Sequence, residues 1–532
     1  MTRLFAILLL LASVLAPPSV RAAGQEAAAQ SDALAAIGSG DYDKLRQGVS
    51  ALAASGDPLA LTILSALHDG RLMVGPDHTL YVKAADGKLT NAATGKPAGA
   101  VAGLHEVRMS NPVRRALEAA LGGLRLFSAD PAQRLAAADA VFHTRDVAAL
   151  PGLEKAIARE HDPTVARALR QARAAALLSD AKASQSDKLV AVALLRERGD
   201  QEARNILAGI TAPPAAAAAA REAVASIDRT LALWRMAQDA YYGLSLGSVL
   251  LLAAIGLAIT FGVMGVINMA HGELVMLGAY TTFVVQEVIR SNAPGLFGAS
   301  LFIAVPLAFI VAGAAGIAIE RGLIRFLYGR PLETLLATWG LSLVLQQLVR
   351  SIFGPDNRQV GTPDWMSGAA QLGGLQITYS RLTIIIFSFL VLFALMAVLR
   401  LTPLGLRMRA VTQNRRMAAA MGIRTPWIDA LTFGLGAGVA GMAGVALSQI
   451  DNVSPNLGQS YIIDSFMVVV FGGVGNLWGT AVGALTLGVV NKFLEPVAGA
   501  VLGKIVVLVL LILFIQRRPR GMFPLKGRAV EA

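Results

Sequence analysis

Leu244-Ser-Leu-Gly-Ser-Val-Leu-Leu-Leu-Ala-Ala-Ile-Gly-Leu-Ala-Ile-Thr-Phe-Gly-Val-Met-Gly-Val266 contains no charged residue. As a helix rising about 1.5 Å per residue, it is long enough to cross the hydrocarbon core of a bilayer. Six more stretches of spanning length follow, at 272–290, 299–319, 333–352, 381–400, 427–448 and 498–516. Another, at 462–494, is interrupted by Gly472, Gly473 and Gly475. The fold class this predicts is all-α, a polytopic membrane domain over 237–520 with eight to nine segments and a tail at 521–532. Topology requires 462–494 to return to the side it left, so it is expected to be a hairpin of two short segments. Composition agrees: of 532 residues, 55% are hydrophobic and 15% charged, against about 25% charged in soluble proteins. With no cysteine in the chain, disulfides, thiolate metal sites and cysteine nucleophiles are excluded.

The first 236 residues read differently. Arg3 and the apolar run Leu4–Ala16, followed by Val20 and Ala22, predict a signal peptide over 1–22 that is cut after Ala22. Residues 23–236 carry charges throughout and form a soluble domain expected outside the cytoplasm. Asp57-Pro58, Asp130-Pro131 and Asp162-Pro163 each place a capping aspartate before a proline suited to a first helical turn, and Gly199-Asp200 opens another helix. Their spacing predicts stacked helical hairpins of HEAT-like type. A small hairpin is expected near 71–98, around Leu80-Tyr-Val82 and the Asp86-Gly87 turn. The histidines at 68, 78, 105, 143 and 161 match no metal-binding spacing.

If the first domain lies outside, the loops near 320–332 and 401–426 and the tail face the cytoplasm. They carry Arg321, Arg325 and Arg330; Arg400, Arg407, Arg409, Arg415, Arg416 and Arg424; and Arg517, Arg518, Arg520, Lys526 and Arg528. The opposite side holds only Arg290, Arg350, Arg358, Arg381 and Lys492. The net charge of +12 is therefore topological, following the positive-inside rule, and no nucleic-acid partner is expected.

No G-x-x-x-x-G-K-[ST] occurs, so this chain does not itself cradle nucleotide phosphates, and no cofactor is expected to be bound by it. Gly436, Gly438 and Gly441 fit G-x-G-x-x-G but lie in an apolar helix without a preceding strand. Gly434 and Gly438, and again Gly475, Gly479 and Gly483, are four apart and predict close helix packing. His271-Gly-Glu273 lacks the partners of a metal site, so neither metal nor catalysis is predicted. Asn268, His271 and Glu273 lie between apolar helices, where ionisable groups usually line a pathway. A capped turn at the cytoplasmic surface is the alternative. Thr338, Ser342 and Gln346, with Gln347 beside them, put one polar face on the fourth span, either lining a pore or bonding between helices.

Asn268-Met-Ala-His-Gly-Glu-Leu-Val-Met-Leu-Gly-Ala-Tyr280 resembles the signature of the permease subunits of branched-chain amino-acid ABC importers, and Phe471-Gly-Gly-Val-Gly-Asn-Leu-Trp-Gly-Thr480 looks like their second Gly-rich segment. Glu333 to Arg350, followed by Ile352-Phe-Gly-Pro-Asp356 and combined with a signal peptide and long N-terminal domain, is similar to the permease B subunit of the urea-importing branch of that family. The resemblance implies an inner-membrane permease for urea. Its implied partners are a second homologous permease subunit, two cytoplasmic ATPase subunits, a periplasmic substrate-binding protein and the lipid bilayer. It also implies that ATP hydrolysis belongs to the ATPases, that the N-terminal domain is periplasmic, and that Arg407–Thr425, with Arg407, Arg409, Arg415, Arg416, Met421 and Gly422, forms a short helix seated on an ATPase. The alternatives are import of branched-chain amino acids or short-chain amides and, from another class, a membrane-anchored ligand sensor.

Overall fold

The computed structural model describes residues 31–55, 59–84, 87–99 and 101–523. The expected signal peptide, the Asp57-Pro58 cap, Asp86 and most of the tail lie outside the described residues. The chain forms two compact units that divide between Leu231 and Ala232.

In the first unit, a helical stretch at 31–38 and helices α1 (Tyr42–Ala54), α2 (Ala60–His68) and α3 (Asn111–Arg125) enclose one core with an antiparallel sheet. The sheet corrects the expected hairpin near 71–98. Five strands, β1 (Leu72–Val74), β2 (Leu80–Lys83), β3 (Leu89–Asn91), β4 (Pro97–Ala98) and β5 (His105–Glu106), pair in the order β4-β3-β2-β1-β5. The last strand is two residues long, too short to show alternation, and it joins the sheet only through Met73 and Val74 of β1. A second core lies among α4 (Pro131–Thr144), α5 (Leu150–Arg159), α6 (Pro163–Ser179), α7 (Gln185–Arg198) and α8 (Gln201–Ala208), in which α4, α5 and α7 pack on α6 and α8 packs on α7. Asp130, Asp162 and Asp200 accept from the backbone N–H of Ala132 (2.9 Å), Thr164 (2.7 Å) and Ala203 (2.7 Å). Each such cap stabilises its helix by about 1 kcal/mol.

Helix α9 (Pro214–Met264) starts in the first unit, where Ala220, Ala223 and Ile227 enter the second core, and ends deep in the second unit. The second unit continues with α10 (His271–Asn292), α11 (Ser300–Gly322), α12 (Pro331–Phe353), the hairpin β6 (Ala369–Leu372) and β7 (Leu375–Thr378), and α13 (Tyr379–Leu401). After these come α14 (Pro403–Gln413), α15 (Arg415–Ala420), α16 (Thr425–Leu447), α17 (Leu457–Gly472) and α18 (Leu477–Arg517). Among the described residues, six helices are long and apolar enough to cross a membrane. The expected eight to nine is reached only by also counting α10, the shorter α17 and both arms of α18, which bends at Gly499. The 462–494 stretch breaks at 473–476 into α17 and the first arm of α18, and the two helices meet where Gly472 faces Gly479. The β6–β7 turn, Gly373-Gly374, lies against Trp234, and Gln238 closes two bonds on the Gln376 backbone.

The second unit is built twice. In each half a long helix (α9 or α16) ends, a loop returns, and a further helix (α10 or α17) starts against its counterpart. A Cβ on Gly272 would lie 2.5 Å from the Gly458 carbonyl oxygen, and one on Gly458 would overlap that of Gly272. Gly256 and Gly436 face each other in the same reciprocal way on the two long helices. The next helix of each half then packs on the long helix of the other: α11 on α16 through Gly313 and Gly316, and the first arm of α18 on α9 through Gly247 and Gly243. Such backbone approach gives packing in a solvent that supplies no hydrophobic drive between helices.

Candidate functional site

Gly265 takes φ +69°, in the region a side chain disfavours, and turns the chain back after α9. Nε2 of His271 then donates to the carbonyl of Ala253 at 3.0 Å. Ala253 lies eleven residues before the end of α9, roughly 16 Å along its axis, or about half the thickness of a bilayer core. Helix α10 therefore starts alongside the middle of the apolar stretch of α9.

The loop is held by its own polar groups. Asn268 Oδ1 accepts from Ala270 N (3.0 Å), and Met269 N donates to Thr338 Oγ1 (3.1 Å), which itself donates to Thr334 O (2.9 Å). One turn into α10, Glu273 is 1% exposed. Its Oε1 accepts from Ser342 Oγ and Gln346 Nε2, both at 2.8 Å, and these two residues also bond each other at 3.2 Å. Asn268, His271, Glu273, Thr338, Ser342 and Gln346 are thus gathered at one place. Gln347, one residue further and about 100° around the helix, is exposed on another face and is outside the cluster. Among the described residues, three polar atoms of the cluster have no partner: Asn268 Nδ2, His271 Nδ1 and Glu273 Oε2. With Nε2 as the donor, His271 Nδ1 is left an acceptor.

Two further charged groups of the second unit were not read as site residues from sequence. Arg350, one turn beyond Gln346 on α12, donates to Asn456 Oδ1 at 2.6 Å just ahead of α17. Its i, i+4 spacing from Gln346 was the available signal. Lys504 bonds buried Asp464 across α18 and α17 at 3.0 Å, and both were hidden inside apolar runs. Among the described residues, no group of three His, Cys, Asp or Glu side chains is placed to hold a metal ion. A cavity of about 620 Å³, lined by Asp77, His78, Thr79 and Asn91 among others, belongs to the first unit.

The expected single helix over 407–425 is two. Asn414 ends α14 and caps α15, accepting from Met417 N at 2.9 Å, because its extended backbone breaks the helical run. Arg407, Arg409, Arg416 and Met421 are exposed, and Gly422 at φ +84° ends the segment. Arg415 is exposed as well, with 45% of its side chain accessible, but its guanidinium pairs with buried Asp429. Gly434 and Gly438 lie against Ile317 and Phe309 of α11, Gly475 against Gly262, Gly479 against Gly472, and Gly483 against Val468.

Residues 240–515 match the family described as branched-chain amino acid transport system / permease component. The chain belongs to that family. It is similar to the high-affinity branched-chain amino acid transport system permease protein BraD of Pseudomonas aeruginosa, 32% identical over 297 residues, covering 54% of this chain and 96% of the relative. It is also similar to the LivH permease proteins of Salmonella typhimurium (33% identical; 54% and 94% covered) and Escherichia coli (32% identical; 54% and 94% covered). No solved structure matches. The family match begins at 240, so it leaves the first unit outside it.

Proposed function

We propose that this chain is a permease subunit of an ATP-driven importer in the inner membrane, and that its cargo is urea. The observation that carries the cargo is the Glu273 cluster. Its carboxylate is held by the neutral donors Ser342 and Gln346, while Glu273 Oε2 and Asn268 Nδ2 are buried without partners among the described residues. Urea offers four N–H donors and one carbonyl, and such a solute leaves water only where polar groups replace its hydrogen bonds. Urea is neutral, so the membrane potential does not concentrate it, and uphill uptake draws on ATP through two cytoplasmic ATPase subunits. A second permease subunit and a periplasmic binding protein complete the assembly. The first unit is assigned to the periplasm, consistent with the arginine-rich loops on the other side.

Import of branched-chain amino acids is the second reading. Relatives carry that name, and Arg350 stands one turn from Gln346, where a guanidinium suits a carboxylate. Radiolabelled urea uptake in a strain lacking this chain, restored by the parental gene and challenged with unlabelled urea, leucine or acetamide, separates the two. Competition by urea alone supports the proposal, whereas competition by leucine supports the second reading.

A further inference from the structure

A second buried polar cluster lies at the opposite end of α12. Glu320, at the end of α11, and Asp429, near the start of α16, are 1% and 2% exposed. Arg415, the first residue of α15, donates to Asp429 and lies over the ring of Tyr328, 4.7 Å from its centroid. The Tyr328 hydroxyl donates to Glu320 Oε1 at 2.9 Å. One arginine from the cytoplasmic helix pair therefore reaches into the unit and grips two other elements. Asp429 is buried and Arg415 half-exposed, and such a pair is weak evidence for stability, since apolar side chains of similar volume usually hold as well.

Tyr328 stands in the link just before α12. Thr334 Oγ1, in the first turn of α12, bonds back to Leu327 O (3.1 Å) and Arg330 O (2.8 Å), so the link and the helix move together. Thr334, Thr338, Ser342 and Gln346 form one buried stripe that runs from this link to Glu273. The opposite face of α12 is open, with Leu332, Leu336, Val344, Leu348 and Ile352 exposed, while Val349 is buried and Leu341, Leu345 and Phe353 are half-buried against the core. A helix held along one face can shift as a rod with only that face to repack.

We infer that Arg415 is a positioning residue that carries movement of α14–α15 through Tyr328 into α12, and so opens and closes the Ser342–Gln346 grip on Glu273. The inference rests on the reading of α14–α15 as the ATPase-facing segment.

The chain has no cysteine, so a Leu336→Cys variant gives α12 a unique label site. In the complex with its co-expressed ATPases in liposomes, the rate of maleimide labelling is measured with and without ATP and vanadate. The expected result is a severalfold nucleotide-dependent change in the parental background. It is lost in Arg415→Gln and in Arg415→Met combined with Asp429→Leu, the second of which leaves no buried charge unpaired. Tyr328→Leu should lose it too. A response retained in the apolar double variant overturns the inference and leaves the ATPase-facing reading standing. Loss of ATPase co-purification in that variant alone also overturns it, placing Arg415 on the docking surface. A parental complex that carries ATPase but shows no response refutes movement of α12, and a parental chain that captures no ATPase refutes both.

Discussion

Replacing Glu273 tests whether the cluster works by hydrogen bonding or by charge. In Glu273→Leu, Ser342 and Gln346 lose a shared acceptor at 2.8 Å and keep only the 3.2 Å bond between them. One buried donor is then left without a partner, which costs about 1–3 kcal/mol. If that penalty falls on the transport step, uptake slows roughly 5- to 150-fold, at about 1.4 kcal/mol per decade. Glu273→Gln retains an oxygen at the Oε1 position and is expected to stay within about threefold of parental, each hydrogen bond to a neutral acceptor being weaker but still made. The assay is the initial rate of radiolabelled urea uptake at saturating concentration, normalised to inserted protein. The concentration for half-maximal uptake should hold steady if the binding protein proposed above performs capture. Glu273→Gln as slow as Glu273→Leu would show that charge is what the site needs, and parental rates in both would assign the cluster to packing.

Three further substitutions probe other levels of the account. Gly458→Ala has no room against the Gly272 carbonyl and should lower the detergent-solubilised melting temperature, by an overpacking penalty of about 1–3 kcal/mol; Gly122→Ala, with open space around it, is the neutral control. Arg350→Gln should leave urea uptake within a few-fold of parental, and abolition of uptake would favour a carboxylate-bearing cargo. Arg416→Glu should weaken ATPase co-purification while leaving insertion intact, since Arg416 is exposed, whereas the half-exposed Arg415 is held by buried Asp429.

A fourth concerns pH: Arg134 makes bonds of 2.7 and 2.9 Å to Glu160 and holds its carboxyl down at about 2. A depressed acid contributes stability that is complete above its unfolded value and fades as pH falls toward the folded one. Protection of the α6 amides against hydrogen exchange, corrected for the intrinsic rate, should therefore fall between about pH 4.5 and 2, and Arg134→Gln should flatten that dependence.

What the sequence could reveal was local. Apolar length located the spans, and Asp130, Asp162 and Asp200 announced their helices because capping is decided within three residues. The four-residue period of Thr338, Ser342 and Gln346 placed them on one face, and the adjacent Gln347 fell on another because adjacency in sequence is not adjacency on a helix. The contact of Gly272 with Gly458 was not legible, since each glycine reads as ordinary packing until the doubled architecture brings them together. Arg415 looked like one more basic residue in a basic loop. Its partner Asp429 sits 14 residues on, beyond a helix break that periodicity alone did not show. The β6–β7 hairpin carried a readable Gly-Gly turn that its weakly alternating flanks obscured.

The central claim is that this permease admits a small neutral amide into an ATP-driven pathway. Its most direct test is accumulation of labelled urea in liposomes holding this chain, its partner permease and ATPases, with binding protein on the outer side and ATP within. The account predicts ATP-dependent urea accumulation above the equilibrium level, slowed by Glu273→Leu. ATP-dependent accumulation of leucine, with urea no higher inside than outside, would contradict it.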